Sequence, residues 1–416
     1  MPWKETVVME ERFRLIERRD AGESIAELAR RFEVSRKTVY KWLERYKIGG
    51  MEDLADRSRR PLVQAGRTDE EIEQWLVDLR HAHATWGPRK LRQFLERREP
   101  EKQWPAESTI ALILDRHGLT AKRKKRRRAT PSEQPLHHAK EANDVWSIDF
   151  KGWFLCGDGK RCDPLTVSDA ATRYLLCCES MESTGTELVK KKLVHLFEEF
   201  GLPWRIRSDN GPPFASTGVG GLSRLSVWWI RLGILPERIE PGEPQQNGRH
   251  ERMHRTLHQE TANPASANEK KQQKSFDRFR ASYNCERPHE ALNGACPNDL
   301  YRASTRTLPA KLPELEYREG LHLRKADEEG KIRWKQARCR LGRALANEVV
   351  GLEPLDDGVQ RVWFGPVLLG LLDERMGSSK TATKRDSSWP PLQSPSGLPQ
   401  TRPTAKTEEQ EKTDKV

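Results

Sequence analysis

The sequence predicts a multidomain chain: all-α modules at the N-terminus, a central α/β core and a small β-rich module towards the C-terminus. Three observations lead there. A length of 416 residues exceeds what one hydrophobic core usually organises. Apolar residues recur at helical spacing through the N-terminal part, then switch to strand-like alternation from Asn143. Further on, Glu329-Gly330 and Asp357-Gly358 punctuate short apolar runs and read as hairpin signals.

The first module spans residues 1–60. In "ESIAELARRFEVSRKTVYKWLERY", Ile25, Leu28, Ala29 and Phe32 form one apolar face, and Val39, Trp42 and Leu43 form the next. Val34-Ser35 supplies a turn and an N-cap between them, which is the spacing of a helix-turn-helix, and small Ala29 lets the helices cross closely. The turn position that usually takes Gly holds Glu33, at a cost on the order of 1 kcal/mol if it adopts the left-handed conformation. The second helix would present Arg36, Lys37, Tyr40 and Lys41 outward, types suited to DNA phosphates and base edges. The plain alternative is a helical hairpin with a solvated basic face.

A second helix-turn-helix-like module is expected at residues 66–120. "TDEEIEQWLVDLR" opens with a capping signature, Pro88 begins the middle helix, Ser108 caps the last and Gly118 ends it. Ile110, Ile113 and Leu114 would face its core. A linker over 121–142 follows, with seven consecutive cations from Lys122 to Arg128, a run that cannot fold on itself and suits a solvated tether or nucleic acid.

The central core is placed at residues 143–302. "DVWSIDFKGWF", "PLTVSDAATR" and "YLLCCES" read as a three-strand antiparallel meander. "GTELVKKKLVHLFEEFG" is an amphipathic helix with Val189, Leu193, Leu196, Phe197 and Phe200 inward and Gly201 as its stop; "PWRIRSD" is a short strand ending in Asp209. Three strands, a helix, a strand and further helices are how an RNase H-like core begins.

Two acids stand out. Asp149 sits mid-strand, where a lone buried carboxylate is costly. Asp209 ends a strand before Asn210-Gly211, at the edge where open α/β sheets place ligands. Carboxylates on adjacent strands can share a hard divalent cation. Taken singly, Asp149 could equally pair with Lys151 or Arg173, and Asp209 could be a turn residue. In "PQQNGRHERMHRTL", Glu251 lies among Arg249, Arg252 and Arg255; Glu251 and Arg255 are at i,i+4 in the favourable order, and Asn247 stands where it could cap the helix. His250 and His254 read as DNA-facing or structural rather than as ligands.

Composition bounds the partners. A net charge of +12 suits a polyanion, and no apolar run approaches the roughly 18–20 residues of a membrane span. The N-terminal stretch lacks a signal peptide's apolar core, and seven scattered cysteines fit reduced thiols in a cytosolic protein. No cysteine precedes Cys156, so His81 and His83 cannot complete a His/Cys zinc site there, and Cys156 and Cys162 have no second pair nearby.

"SDNGPPF", "PQQNGRHERMHRTL" and "YNCERPHEALNGACPNDLY" strongly resemble DDE transposases with a retroviral-integrase core. "PPFASTGVGGLSRLSVWWIRLGI" and "GLEPLDDGVQRVWFGPVLLGLLDE" look like the insertion sequence 481 family of bacterial transposases, and the resemblance runs from Trp3 to about Glu374. Carried over residue by residue, it makes Asp149, Asp209 and Glu251 a catalytic, metal-binding triad for two Mg²⁺ or Mn²⁺ ions. Forty-one residues lie between Asp209 and Glu251, longer than the best-known integrase spacing, and the Gly/Ser-rich "ASTGVGGLSRLS" accounts for the insertion. Glu243 is the competing third acid, but it lies in a Gly-Pro loop, a poor platform for a positioned ligand.

The resemblance implies cleavage at the inverted-repeat ends of an element and strand transfer into target double-stranded DNA. Arg249, Arg252 and Arg255 would contact phosphates beside the site. It further implies a homo-oligomer on DNA in the bacterial cytoplasm, associated with the nucleoid and not with a membrane. "YNCERPHEAL" would close the core, with Tyr283 and Leu292 packing and Arg287 exposed. A small β-barrel-like module at 315–374 would aid DNA binding or assembly, and 375–416 reads as a disordered tail. An RNase H-like nuclease that cuts without joining, and a DNA-binding regulator with dispensable catalysis, are the competing functions.

Overall fold

The structure, a computed structural model, describes residues 8–56, 68–120, 139–216, 218–239, 247–335, 337–355 and 358–373. Glu243, the basic run and the tail from residue 375 lie outside these. The chain divides into two compact units, Met1–Thr68 and Asp69–Val416. No described helix is long and apolar enough to cross a membrane.

In the first unit, α1 (Val8–Asp20), α2 (Ile25–Arg31) and α3 (Arg36–Gly49) close over Leu15, Ile16, Leu28, Val39, Trp42 and Leu54. Ser24 and Glu27 form a reciprocal capping box at the start of α2, and Ser35 Oγ accepts from the Thr38 N–H at 3.1 Å to start α3. Between them Glu33 takes a φ of 52°, the strained turn that the sequence spacing demands. The Arg12 guanidinium lies 3.8 Å over the Trp42 ring and donates to Leu54 O, locking α1 against α3.

The second unit begins with α4 (Glu70–Ala82), α5 (Pro88–Arg98) and α6 (Glu107–Arg116), packed around Leu76, Trp86, Leu91, Ile110, Ile113 and Leu114. Pro88 opens α5 as expected. Two caps differ from the sequence reading. Ala106 rather than Ser108 precedes α6, so Ser108 falls inside the first turn, and Asp69 precedes α4 without a side-chain bond to the helix. Cations of α5 bind the central core: Arg97 reaches both carboxylate oxygens of Asp299, Arg89 reaches Glu290, and Lys90 Nζ donates to Pro288 O.

The central sheet comprises β1 (Val145–Phe150), β2 (Phe154–Leu155), β3 (Arg161–Asp169), β4 (Leu175–Met181), β5 (Arg205–Ser208) and β6 (Leu235–Arg238). Its order is β2-β3-β1-β5-β6, with β4 also on β3. The meander β1, β3, β4 is antiparallel, and β5 then joins β1 in parallel after α7 (Thr186–Phe200). Strand alternation divides the side chains. Trp146, Ile148, Leu165, Val167 and Ile206 face α7 and α8 (Arg224–Arg231). The opposite face packs on α9 (Gly248–Thr261) and α10 (Glu269–Cys285), through Cys162, Leu175, Met253, Leu257, Phe276 and Phe279. After α11 (Pro297–Leu300) the chain still lies on the core, through buried Tyr301 and partly buried Leu308. Arg287, expected outside, is buried and paired with Glu260 at 3.0 Å, because that segment is clamped under α5; Leu292 is only partly buried.

The C-terminal module holds β7 (His322–Lys325), β8 (Lys331–Trp334), β9 (Ala337–Arg340), β10 (Val349–Pro354), β11 (Val359–Phe364) and β12 (Val367–Asp373). They form a sheet β12-β11-β10-β7 and a separate β8-β9 hairpin, all antiparallel. Glu329-Gly330 therefore does not turn a hairpin. It joins strands of different sheets, where Asp327 Oδ1 accepts from the Glu329 and Lys331 N–H groups. The module's core also contains Val219, Leu222, Val227 and Ile230 from the Gly-rich insertion and α8. Gly220, at φ 64°, lets the insertion approach Leu369 so closely that a Cβ would stand 2.9 Å from its Cδ2.

Candidate active site

On β1, Ser147 and Asp149 alternate with the apolar Trp146 and Ile148 and so face α9 rather than α7. On β3, Thr166 and Ser168 do the same; the register pairs Asp149 with Thr166 and Ser147 with Ser168. The parallel register with β5 pairs Val145 with Arg205 and Ser147 with Arg207. Carried two residues on, it brings Asp209, the first residue past β5, level with Asp149 on the same face. Polar side chains thus line one side of three neighbouring strand ends.

Burial sets the electrostatics. The Asp149 carboxyl is pushed up to about 7, first by desolvation, then by the charge of Asp209, with Glu251 adding to it; the Phe150 N–H and Lys151 pull the other way. Asp209 is also raised by burial, against the Gly211 N–H that stabilises its charge. Asp209 Oδ1 is buried and has no hydrogen-bond partner among the described residues, a costly state for a carboxylate oxygen. The flank of this carboxylate is narrow: a Cβ at Gly211 would stand 3.1 Å from Asp209 Oδ2.

Glu251 lies in the first turn of α9, exposed, and near enough to Asp149 to act on its charge. The i,i+4 pairing with Arg255 is not made: among the described residues neither side chain joins an ion pair. Nor does Asn247 cap α9 through its side chain; its own φ of −104° and ψ of 15° turn it away from cap geometry. Asp149 likewise forms no ion pair with Lys151 or Arg173 among the described residues.

His250 and His254 are 2% and 7% exposed, so neither faces DNA; they are buried structural groups. Thr166 Oγ1 lies 2.7 Å from His250 Nε2 and 2.6 Å from His254 Nε2, and 3.1 Å from Asp149 O. Ser168 Oγ lies 2.8 Å from His250 Nδ1. The rings meet edge to face at 4.5 Å, and burial drives both pKa values down, to about 3 and about 2, so both are neutral. His254 Nδ1 stands 3.9 Å from Asp149 Oδ2. The tight grouping of potential ligand atoms in this region is therefore Asp149, His250 and His254, within 4.8 Å of one another, and not the three acids. Sequence reading missed Thr166 and Ser168. Their signal was the alternation of Thr166 and Ser168 with apolar Leu165 and Val167 on β3, together with histidines spaced i,i+4 on α9.

The other sequence-derived contacts divide into free and committed. Arg36, Lys37, Tyr40 and Lys41 are all exposed on one side of α3. Arg252 and Arg255 are exposed on α9, whereas Arg249 Nη1 donates to Ala170 O at 3.0 Å. An acid set of hard oxygen donors with one unpartnered buried oxygen fits a divalent cation better than it fits an apolar ligand.

Comparison with known proteins places this geometry. Two integrase core domain models match residues 139–244 and 232–297, a helix-turn-helix model matches 11–61 and a homeodomain-like model matches 38–114. The chain is 28% identical over 270 residues to an uncharacterized 31.7 kDa protein of insertion element IS407 from Burkholderia multivorans, covering 63% of this chain and 94% of that one. It is 29% identical over 237 residues to an uncharacterized 39.2 kDa protein of insertion element IS476 from Xanthomonas euvesicatoria, covering 56% and 65%. The catalytic core domain of BIV integrase aligns at 18% identity and a TM-score of 0.30, over 38% of this chain and 94% of that one. The chain carries helix-turn-helix domains ahead of an integrase core and is homologous to insertion-element proteins.

Proposed function

We propose that this integrase-core protein is a DNA transposase of the insertion sequence 481 kind, which frees 3′ ends at its element's inverted repeats and joins them to target DNA. The observation that carries the reading is Asp149 and Asp209 at neighbouring strand ends of an integrase core, one with a raised pKa and the other with a buried oxygen lacking a partner among the described residues. In this reading residues 1–60 and 66–120 bind DNA, 143–302 hold the chemistry, and 315–374 assist DNA binding or assembly of a homo-oligomer.

Asp149, Asp209 and Glu251 would hold two Mg²⁺ or Mn²⁺ ions, whose Lewis acidity favours the attacking and leaving oxygens of an in-line displacement. Asp149 must give up its proton to bind a cation, so its pKa of about 7 makes cation affinity rise from pH 6 to pH 8, measurable by Mn²⁺ titration. Asp209 brings an oxygen that has no competing donor among the described residues. Glu251 stands on a helix, which fixes where its carboxylate emerges. Arg252 and Arg255 face solvent on that helix and would bind the strand's phosphates, giving salt-sensitive affinity. Water then attacks the phosphodiester at the element end and releases a 3′-OH. That 3′-OH attacks a target phosphodiester, one P–O bond forming as another breaks, so no nucleotide is consumed.

The test is incubation of the full chain with DNA from the gene's flanks and Mg²⁺, scored for joined products. Joining is expected, together with its loss in Glu251→Gln. Full activity in that variant would remove Glu251 from the triad and return Glu243 to consideration. Cutting without joining would make the protein a nuclease, and end binding with neither would make it a DNA-binding regulator.

A further inference from the structure

The turn that joins β3 to β4 is braced on both sides. Asp169 Oδ1 accepts from the Thr172 N–H and hydroxyl, each at 2.7 Å, and its Oδ2 accepts from the Asn143 N–H at 2.8 Å. On the far side Asn284 of α10 exchanges two hydrogen bonds with the backbone of Leu175, at 2.8 and 3.0 Å. Between these braces stands Arg173, at a φ of 67°. A long side chain rarely takes that left-handed conformation, which persists only where the surroundings over-determine it.

The strained backbone delivers a cation into cationic surroundings. Arg173 is half-buried, and its Nη1 is buried with no hydrogen-bond partner among the described residues. Burial lowers its pKa to about 10, and the charges of Arg249 and Arg252 act the same way, so it is still protonated at neutral pH. Arg249 is held to the same turn, its Nη1 donating to Ala170 O at 3.0 Å, and exposed Arg252 stands nearly one helical turn further along α9. Asp169 is the acid whose charge favours Arg173, but both of its carboxylate oxygens are committed inside the turn. Such a guanidinium is costly until an anion reaches it.

We propose that Arg173 and Arg252, backed by Arg249, form a phosphate-binding site that takes one backbone phosphate of the DNA strand, a few nucleotides from the bond attacked beside Asp149. A guanidinium fork matches the paired oxygens of a phosphate. The spacing suits the same strand. Asp169 lies three residues along β3 from Thr166, the partner of Asp149, which is roughly 10 Å, and DNA advances about 3.4 Å per nucleotide. The inference rests on the reading of the chain as a DNA-joining enzyme. What it adds is a phosphate contact on the sheet, apart from the cation ligands, and a use for the strain at Arg173.

The test titrates the full chain, by fluorescence anisotropy, against end duplexes that carry a single methylphosphonate at successive positions. Each such group replaces one phosphate by a neutral one. The wild type should lose roughly tenfold in affinity at one position near the joined end. Arg173→Asn, whose side chain tolerates the left-handed φ, should bind unmodified DNA roughly tenfold less tightly and lose nothing more at that position. Arg173→Gln, nearer in length, repeats the measurement and judges it if the shorter variant does not fold. A folded variant that responds to every methylphosphonate as the wild type does overturns the proposal, and assigns Arg173 a structural role if its melting temperature has also dropped. Inorganic phosphate is the second arm. If it raises the melting temperature of the wild type alone, at matched ionic strength, while no position on the DNA couples to Arg173, the site takes free phosphate and the DNA assignment falls. Asp149→Asn tests the underlying reading separately: joining at the wild-type rate in that variant would end the reading of the catalytic site, while the coupling at Arg173 still judges the phosphate contact.

Discussion

On α3, Arg36, Lys37, Tyr40 and Lys41 stand exposed above a helix face whose Val39 and Trp42 are buried. On β1 and β3, half-buried Asp149 and buried Thr166 and Ser168 instead face His250 and His254, in contact with one another. The first arrangement lets Arg36, Lys37 and Tyr40 be changed without disturbing their neighbours, while Lys41 holds its Nζ 4.8 Å over the Trp42 ring. The second makes every group's state depend on the next. Surface recognition should therefore respond additively to substitution, and the buried site should not.

The largest expected effect separates the two regions outright. Asp149→Asn should lower metal-dependent joining by on the order of a thousandfold, about 4 kcal/mol in the barrier. End binding measured by fluorescence anisotropy should hold. A parallel loss of both would erase the distinction drawn here.

Acid should split them next. His250 and His254 sit at about 3 and about 2 in the fold, against an ordinary value near 6.5. Below pH 6.5 the unfolded chain binds protons that the folded chain refuses, so stability is full above that pH and is lost as pH falls. With two such groups the slope reaches about 2.7 kcal/mol per pH unit. Met1–Thr68 contains no histidine. Thermal melts between pH 7 and pH 5 should show the larger unit weakening while the smaller one hardly responds through this mechanism.

Smaller effects sharpen the surface side. Lys37→Ala should weaken end binding by about tenfold and reduce the salt slope by about 1, and its effect should add to that of Tyr40→Ala without lowering either melting temperature. Cooperative loss would mean that α3 is not the independent surface described. Smallest of all, Glu33→Gly should stabilise the N-terminal unit by up to about 1 kcal/mol, because the φ of 52° suits glycine. A destabilised variant would show that Glu33 makes a compensating contact.

Periodicity made much of the fold legible. The cap at Ser35, the strained Glu33, Pro88 at the start of α5 and the antiparallel meander follow from local rules that act within a few residues. Ser108 and Asn247 show the limit of those rules, since a residue type that favours a cap does not fix which turn the chain closes. Arg287 was misread because a charge is normally exposed, and its burial depends on Glu260 and Thr85, both far away in sequence. The same holds for Thr166: nothing in "PLTVSDAATR" announces that two histidines more than eighty residues on will converge on one hydroxyl. Long-range pairing decides such contacts.

Val219 and Leu222 of the Gly-rich insertion, with Val227 and Ile230 of α8, belong to the hydrophobic core of the C-terminal module. Arg231 seals the same seam, through Glu348 at 2.8 Å and Pro313 O at 3.0 Å. Anyone dissecting the protein thus has no clean place to cut between the integrase core and the strands that follow. A fragment ending before β7 would carry an uncovered apolar strip along the insertion and α8 and should be recovered as aggregate. The interval between Asp209 and Glu251 is correspondingly no slack loop to be shortened, because its Val219–Ile230 stretch is the socket into which the C-terminal strands plug.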